Sequence, residues 1–287
     1  MPAPLLATPI LTIGDHSRDS AGLRYVYPVV SRRAGGVSIG INLNPNNACN
    51  WRCIYCQVPG LKRGTAPPID LALLERELRG FIDALLHGDF MRKHVPEDAR
   101  RIVDIAFSGN GEPTSAREFP DAIELVGRVL RDTGLDGKVK VRVITNGSLL
   151  GRKHVQQGLR RLGELGGEAW FKVDAGSADG YRRINGVEIT PESVVRHLHR
   201  CAQLCPTWVQ TCLFALDGAS PGDDEVQAYL DVLERAGSAN LPGVHLYGLA
   251  RPSLQPEAER LSSLPQDTLE AIAVRIRALG LAVNVSV

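Results

Sequence analysis

The stretch Cys49-Asn50-Trp51-Arg52-Cys53-Ile54-Tyr55-Cys56 carries three cysteines at the spacing CxxxCxxC, with an aromatic residue immediately before the third. Three thiolates so close in sequence can converge on one centre, because a short irregular loop lets alternate side chains turn inward. Cysteine thiolates are soft ligands that suit zinc or an iron-sulfur cluster. With three protein ligands a cubane cluster keeps one iron open, and an open metal position is where chemistry takes place.

Zinc binding and plain buried thiols are the alternatives for these cysteines. Zinc sites usually pair cysteines as CxxC and recruit a second pair or histidines. The three-residue spacing and the lack of a nearby histidine do not fit that pattern. We therefore expect Cys49, Cys53 and Cys56 to hold an iron-sulfur cluster.

These residues resemble the signature of the radical S-adenosylmethionine (radical SAM) enzymes, CxxxCx(aromatic)C. The resemblance implies a 4Fe-4S cluster whose open iron chelates the amino acid end of S-adenosylmethionine (SAM), and it places the backbone of Tyr55 near the adenine. The wider stretch of residues 38–57 is similar to a branch of bacterial Fe-S oxidoreductases related to the wyosine-synthesis tRNA enzyme. This similarity extends from about residue 25 to the last predicted helix.

Length, charge and cysteine content limit the class of protein. A chain of 287 residues suits one large α/β domain. With 33 Lys and Arg against 32 Asp and Glu, the net charge of +1 gives no global attraction to nucleic acid. Residues 1–14 make a poor signal peptide, and no run of about 18 apolar residues predicts a membrane span. Six cysteines without an export signal indicate the cytoplasm, where thiols stay reduced.

The apolar pattern predicts an α/β fold built from six strand-then-helix units. Predicted strands cover residues 37–43, 102–107, 139–144, 169–173, 209–216 and 244–249. Short connections between such units predict a parallel sheet with right-handed crossovers. Six units are too few to close an eight-stranded barrel. We therefore expect a partial (β/α)6 TIM-like barrel, an open parallel sheet with outer helices, which is also the fold that the resemblance implies.

We divide the chain into an N-terminal extension, residues 1–36, and a radical SAM core domain, residues 37–287. The extension contains one possible strand, residues 25–30, followed by Ser31-Arg32-Arg33. Two adjacent arginines usually lie in a solvated loop, and binding of an anion is the alternative.

Glycines and a carboxylate follow the second predicted strand, and in such sheets the loops after strand ends build the active site. The loop reads Gly109-Asn110-Gly111-Glu112-Pro113, where glycines let the backbone approach a ligand. It resembles the GGEP motif of radical SAM enzymes, which contacts the amino group of SAM, with Asn110 in place of the first glycine. The resemblance makes Gly109, Gly111 and Glu112 candidates for SAM binding. A surface turn is the alternative.

The later strand ends add five candidates. Asn146 follows the third strand and could bind a ribose hydroxyl or form an ordinary Asn-Gly turn. Lys172 and Asp174 share one face of the fourth strand, where one could serve the SAM carboxylate and the other a ribose hydroxyl, or the two could form an ion pair. Gln210 on the fifth strand and Arg251 after the sixth are candidate substrate contacts, because arginine grips carboxylate or phosphate groups.

Three further cysteines, Cys201, Cys205 and Cys212, allow a second cluster. Cys201 and Cys205 lie four residues apart at a predicted helix end, and Pro206 turns the chain toward the strand that holds Cys212. The alternative is that each is a small buried hydrophobic residue, which is common for free cysteine.

The resemblance implies a radical SAM oxidoreductase of unassigned substrate. In such enzymes the reduced cluster passes an electron to SAM, and the resulting 5'-deoxyadenosyl radical takes a hydrogen atom from the substrate. A one-electron donor such as flavodoxin or ferredoxin would supply that electron. The protein would orient the reactants and exclude water.

Three other functions remain open at this point. Wyosine-type modification of tRNA is weakened by the balanced charge and because no cysteine precedes Cys49. An activase that places a glycyl radical on a protein partner would use the same cysteine signature. A non-enzymatic zinc or iron-sulfur protein would have no need of the SAM-binding candidates.

Overall fold

One sheet of eight strands organises the part of the chain that the computed structural model describes, residues 22–31 and 35–286. The strands lie side by side in sequence order: β1 (Val26–Ser31), β2 (Gly36–Ile41), β3 (Ile102–Phe107), β4 (Lys140–Thr145), β5 (Glu168–Lys172), β6 (Thr207–Cys212), β7 (Gly243–Tyr247) and β8 (Ala282–Ser286). Strands β2 to β8 run parallel, and β1 pairs antiparallel with β2. Because β1 and β8 lie at opposite edges, the sheet is open.

Helices connect the parallel strands and form an outer layer. Their bounds are α1 (Leu71–Leu86), α2 (Phe90–His94), α3 (Phe119–Asp132), α4 (Lys153–Glu164), α5 (Ala178–Asn185), α6 (Pro191–Leu204), α7 (Asp223–Arg235) and α8 (Gln266–Arg277). The long helices pack in succession, α1 on α3, α3 on α4, α4 on α6, α6 on α7 and α7 on α8. None of the helices in the described ranges is long and apolar enough to cross a bilayer. The result is the predicted partial barrel, with its helices outside.

Side chains alternate between two faces along each strand, and this alternation separates an apolar outer core from a polar interior. Outward residues such as Ile39, Val143 and Val209 are fully buried in the main apolar core with the helices. Inward residues in the first half of the strands include polar, charged and aromatic side chains, such as Ser38, Asp104 and Trp170. Arg142, for example, forms ion pairs with Asp104 and Glu168. The open barrel interior is therefore filled with paired polar groups at its amino-terminal end, and space remains at the carboxyl ends.

All six predicted strands are present, and the possible strand at residues 25–30 is confirmed as β1. Asp70 caps α1, because its carboxylate accepts a hydrogen bond from the Leu73 N–H at 2.9 Å. The predicted fifth strand, residues 209–216, is too long. Strand β6 ends at Cys212, and the apolar residues after it pack elsewhere: Ala215–Leu216 pairs with Leu261–Ser262 outside the main sheet.

Three of the numbered strands and helices were not predicted: β8, α2 and α5. Strand β8 is an edge strand of half-exposed residues, so it lacks the continuous apolar run of a strand buried on both faces. Helix α2 has five residues, and α5 is a polar helix of eight residues whose cap, Ser177, accepts a hydrogen bond from the Gly180 N–H. Residues 1–21, Arg32 and Arg33 lie outside the described residues, and the division at residue 36 stays a prediction.

We expect Leu78→Ala to lower the free energy of unfolding by about 2–5 kcal/mol, because Leu78 of α1 is fully buried and its truncation leaves a cavity. The matched control is Leu86→Ala on the same helix, where the side chain is 42% exposed and the change should stay within about 0.5 kcal/mol. Urea denaturation followed by circular dichroism measures both. Equal losses in the two variants would contradict this assignment of the core.

Candidate active site

A cavity of about 290 Å³ lies at the carboxyl ends of the parallel strands. The cysteines of the CxxxCxxC loop line it together with eight of the nine residues predicted to contact SAM or substrate, namely Tyr55, Gly109, Gly111, Glu112, Asn146, Lys172, Gln210 and Arg251. The ninth residue, Asp174, does not line this cavity. The fold thus brings most of the predicted site together, and binding of SAM or substrate by these residues stays a prediction.

The end of α5 holds the first half of the cysteine loop in place. The Arg52 N–H donates to the Asn185 carbonyl at 3.0 Å, and the Ile54 N–H donates to the Ile184 carbonyl at 2.9 Å. Before these bonds, the two-residue strand Ala48–Cys49 pairs in parallel with Lys62–Arg63. These bonds satisfy backbone groups that an irregular loop would otherwise leave unpaired.

A distant segment, residues 253–257, holds the second half of the same loop. The Ser253 hydroxyl donates to the Ile54 carbonyl at 2.7 Å, and the Gln255 amide donates to the carbonyls of Cys56 and Val58 at 3.2 and 3.0 Å. The Arg52 guanidinium also forms a two-point ion pair with Glu257. The sequence analysis did not identify this segment, because no sequence pattern indicates which backbone groups the polar residues after a strand will bind.

N–H groups lie close to the sulfurs of Cys49 and Cys53. Cys49 Sγ lies 3.5 Å from the Trp51 backbone nitrogen, and Cys53 Sγ lies 3.2 Å from the Asn185 amide nitrogen. Burial raises the pKa of the Cys49 thiol to about 12, and burial followed by the nearby Asp174 charge raises the pKa of Cys53 further. The loop therefore favours protonated thiols by itself, and a bound metal would have to supply the positive charge that ionises them.

This donor set fits a 4Fe-4S cluster. It consists of soft sulfur ligands on one loop, lining a cavity, with N–H groups directed at two of the sulfurs. Within residues 22–31 and 35–286, no three His, Cys, Asp or Glu side chains converge tightly enough to bind one metal ion. A cubane cluster binds each cysteine to a different iron, so its ligands do not have to meet at a single point.

The glycines of the second loop are required by close backbone approach. Gly109 has a φ of +146°, and a Cβ atom there would lie 2.5 Å from Asn42 Oδ1. A Cβ on Gly111 would lie 2.1 Å from the Ala48 carbonyl oxygen, just before the first cysteine. At Gly111 the glycine loop thus packs directly beside the cysteine loop, and at Gly109 it packs on Asn42 after β2.

Glu112 binds the end of β4 with its carboxylate. Oε1 accepts from the Thr145 hydroxyl at 2.7 Å and from the Thr114 hydroxyl at 2.5 Å, while Oε2 accepts from the Asn146 N–H at 2.7 Å. Burial raises the pKa of Glu112 despite these bonds. Asn146 in turn donates its side-chain amide to Asn50 Oδ1 at 2.9 Å, inside the cysteine loop. Both residues therefore connect strand ends to that loop as well as lining the cavity.

Asp174 is a buried hub below the cavity. Its Oδ2 accepts from the Tyr55 hydroxyl at 2.5 Å and from the Asn185 amide at 2.8 Å, and its Oδ1 accepts from the Cys212 N–H at 3.1 Å. Lys172 Nζ lies 3.5 Å from Oδ1, so the ion pair considered from the sequence is present. Burial by itself would lower the pKa of Lys172, but Asp174 together with the neighbouring Tyr247, Cys53 and Cys212 raises that pKa. Lys172 thus stays charged beside the cavity, where its Nζ also donates to the Tyr247 hydroxyl at 3.0 Å.

A second and larger cavity, of about 450 Å³, lies between α5 and α7. Cys212, at the end of β6, lines both cavities, and Asp174 lines the second one. The other residues that line this second cavity are mostly apolar, and Phe214 and Tyr229 are among them. The hub therefore forms part of the partition between the two spaces.

The three remaining cysteines do not converge. Cys201 and Cys205 lie at the end of α6, where the Thr207 hydroxyl at the start of β6 is 3.4 Å from Cys201 Sγ. Cys212 lies at the other end of that strand, roughly 16 Å away at about 3.3 Å per residue. The arrangement considered for a second cluster is therefore absent from the described residues, and all three side chains are buried.

A family model of the radical SAM superfamily matches residues 43–233, which is more than half of the chain. The chain belongs to the radical SAM superfamily. The cofactors of this superfamily are a 4Fe-4S cluster and SAM.

Curated relatives match over about half of this chain. A protein of Helicobacter pylori described as a UPF0026 protein is 30% identical over 159 residues, which cover 55% of this chain and 44% of that protein. A protein of Brachyspira hyodysenteriae named GTPase Obg is 28% identical over 158 residues, which cover 55% of this chain and 20% of that protein. The matched region is thus less than half the length of each relative.

Solved radical SAM structures share the fold. Streptococcus suis SuiB bound to S-adenosylmethionine aligns with a TM-score of 0.56 at 11% identity, covering 86% of this chain and 50% of that one. A radical SAM methyltransferase from Sphaerobacter thermophilus aligns with a TM-score of 0.55 at 14% identity, covering 87% of this chain and 66% of that one. These likenesses support the partial-barrel fold.

We expect Asp174→Asn to lower the free energy of unfolding by about 3–5 kcal/mol, because it leaves the largely buried Lys172 charge without its partner. The control is Asp217→Asn, which removes one partner of the exposed Asp217–Arg260 pair and should cost less than about 1 kcal/mol. Chemical denaturation of both variants measures the difference. A loss for Asp174→Asn no larger than that of the control would refute the role of this hub.

Proposed function

We propose that this protein reductively cleaves SAM at a 4Fe-4S cluster held by Cys49, Cys53 and Cys56 and abstracts a hydrogen atom from a substrate that is not yet assigned. The observation that carries the proposal is that the cysteine loop, the glycine loop and the polar strand ends line one cavity. A structural metal site would have no use for such a cavity. We place the reaction among radical SAM oxidoreductases.

The chain's own residues would hold, orient and shield the cofactors. When bound, the cluster and SAM supply a 5'-deoxyadenosyl radical by one-electron cleavage of a carbon-sulfur bond. Lys172, kept charged by Asp174, would attract the SAM carboxylate, while Gly111 allows its loop to approach closely. Gln210 and Arg251 would contact the substrate. The buried walls around them would limit access of water and oxygen.

The electron would come from a small one-electron donor protein such as flavodoxin or ferredoxin, and we propose the cytoplasm as the compartment. The residues around the cysteine loop offer such a donor a positively charged approach. Lys62 and Arg63 are both exposed on the short strand that pairs with the first cysteine. An acidic surface would be attracted to them.

A wyosine-type reaction on tRNA is the alternative that the cysteine-loop resemblance keeps open. The balanced charge of the chain weakens it, since phosphate contacts dominate nucleic acid affinity. A glycyl-radical activase acting on a protein partner is the other alternative. A mass change in unmodified tRNA would support the tRNA reaction. A glycyl radical signal in a partner protein, with stoichiometric use of SAM, would support the activase.

The direct test is anaerobic reconstitution with iron and sulfide, reduction with dithionite in the presence of SAM, and detection of 5'-deoxyadenosine by liquid chromatography. We expect about four irons per chain and formation of 5'-deoxyadenosine. A triple variant with Cys49, Cys53 and Cys56 replaced by alanine should lose both. Cys205→Ala serves as the matched control, because Cys205 is buried at the end of α6, before β6 begins, and its replacement should leave both unchanged.

Two results would count against the proposal. Full iron loading without cleavage of SAM would leave an electron-transfer or structural cluster. Tetrahedral zinc with no iron after anaerobic purification would remove the iron-sulfur assignment altogether.

A further inference from the structure

Asn185 is the last residue of α5 and is completely buried against the cysteine loop. The carbonyls of Ile184 and Asn185 accept backbone N–H groups from the residues on either side of Cys53. Gly186 then ends the helix with a φ of +60°, and a Cβ there would lie 2.8 Å from the Arg52 carbonyl oxygen. The position of the Asn185 side chain is therefore fixed by the same contacts that shape the loop.

Chemistry decides which way the Asn185 amide points. Its nitrogen lies 3.2 Å from Cys53 Sγ and 2.8 Å from Asp174 Oδ2. A metal-bound thiolate and a carboxylate can only accept hydrogen bonds, so the NH2 group has to face both of them. Among the described residues, the amide oxygen of Asn185 has no hydrogen-bond partner that would favour the opposite orientation.

We propose that Asn185 sets the reduction potential of the cluster by donating a hydrogen bond to the sulfur of Cys53. Reduction adds negative charge to a cluster and its sulfur ligands, and an N–H donor stabilises that charge. The bond therefore raises the potential and makes the cluster easier to reduce. This inference rests on the proposed function, because it requires a 4Fe-4S cluster on these cysteines.

The carboxylate of Asp174 makes the donor necessary. It lies on the other side of the same amide and opposes negative charge on Cys53. The Asn185 amide donates one N–H to the Cys53 sulfur and the other to the Asp174 carboxylate, so it lies between the two anions and supplies each with a hydrogen bond. Cys49, by contrast, receives its contact from the backbone N–H of Trp51, which a change of the Trp51 side chain leaves in place unless the new residue is proline. The side chain of Asn185 is thus an adjustable part of the cluster environment.

The test is a redox titration of the reconstituted holoprotein followed by electron paramagnetic resonance (EPR), without SAM and with SAM. Asn185→Leu removes the donor and keeps a side chain of similar size. Asn185→Ala removes the donor with a smaller side chain that causes no steric clash. We expect both variants to have a more negative midpoint potential than the wild type at equal iron content. The control is Arg182→Leu on the same helix, whose side chain is 55% exposed and pairs with Asp179 and Glu188, and which should keep the wild-type potential.

An unchanged midpoint potential in an iron-loaded Asn185 variant overturns the proposal, and so does an equal shift in the Arg182 control. If neither Asn185 variant retains iron, a measurement on the wild-type holoprotein tests the proposal instead. Pulsed EPR of the reduced holoprotein with nitrogen-15 in its asparagine side chains should then show coupling to an amide nitrogen, and absence of that coupling overturns the proposal. None of these measurements needs SAM to be cleaved, so failure of the proposed reaction would be a separate result.

Discussion

The buried carboxylate of Asp174 is the group on which the geometry of the site depends. It joins the cysteine loop through Tyr55, α5 through Asn185 and β6 through the Cys212 backbone, and it faces Lys172 on β5. A buried charge costs several kcal/mol unless such partners are in place. Each of these segments therefore constrains the others, and the cysteine loop receives its shape from the barrel instead of from its own sequence.

Asparagine side chains also connect the loops of the site to one another. Asn42 accepts from the backbone N–H groups of Asn44 and Asn110, which connects the end of β2 to the glycine loop. Asn50 and Asn146 join the cysteine loop to the end of β4. An asparagine side chain both donates and accepts, so it can satisfy irregular backbone without placing a further charge beside the cluster ligands. The asparagines around the cysteines are thus part of the construction of the site.

The sequence predicts the fold well where burial leaves a periodic pattern. The strands that line the core read as apolar runs, and Asp70 followed by an apolar stripe gives the start of α1. The edge strand β8 and the polar helix α5 have no such pattern, since their residues are half-exposed or held by hydrogen bonds. The candidate site follows the same rule: strand-end positions could be inferred from parallel topology, whereas the contacts of Ser253 and Gln255 depend on tertiary packing.

The hydrogen bonds from residues 253–257 to the cysteine loop have a consequence for the order in which the site forms during synthesis. Gln255 bonds a carbonyl 199 positions earlier in the chain, so the loop cannot take its final shape while the ribosome is still making the later strands. Until then the cysteine loop lacks the hydrogen bonds that Ser253 and Gln255 supply. Binding of a cluster in the finished geometry therefore follows synthesis of this late segment.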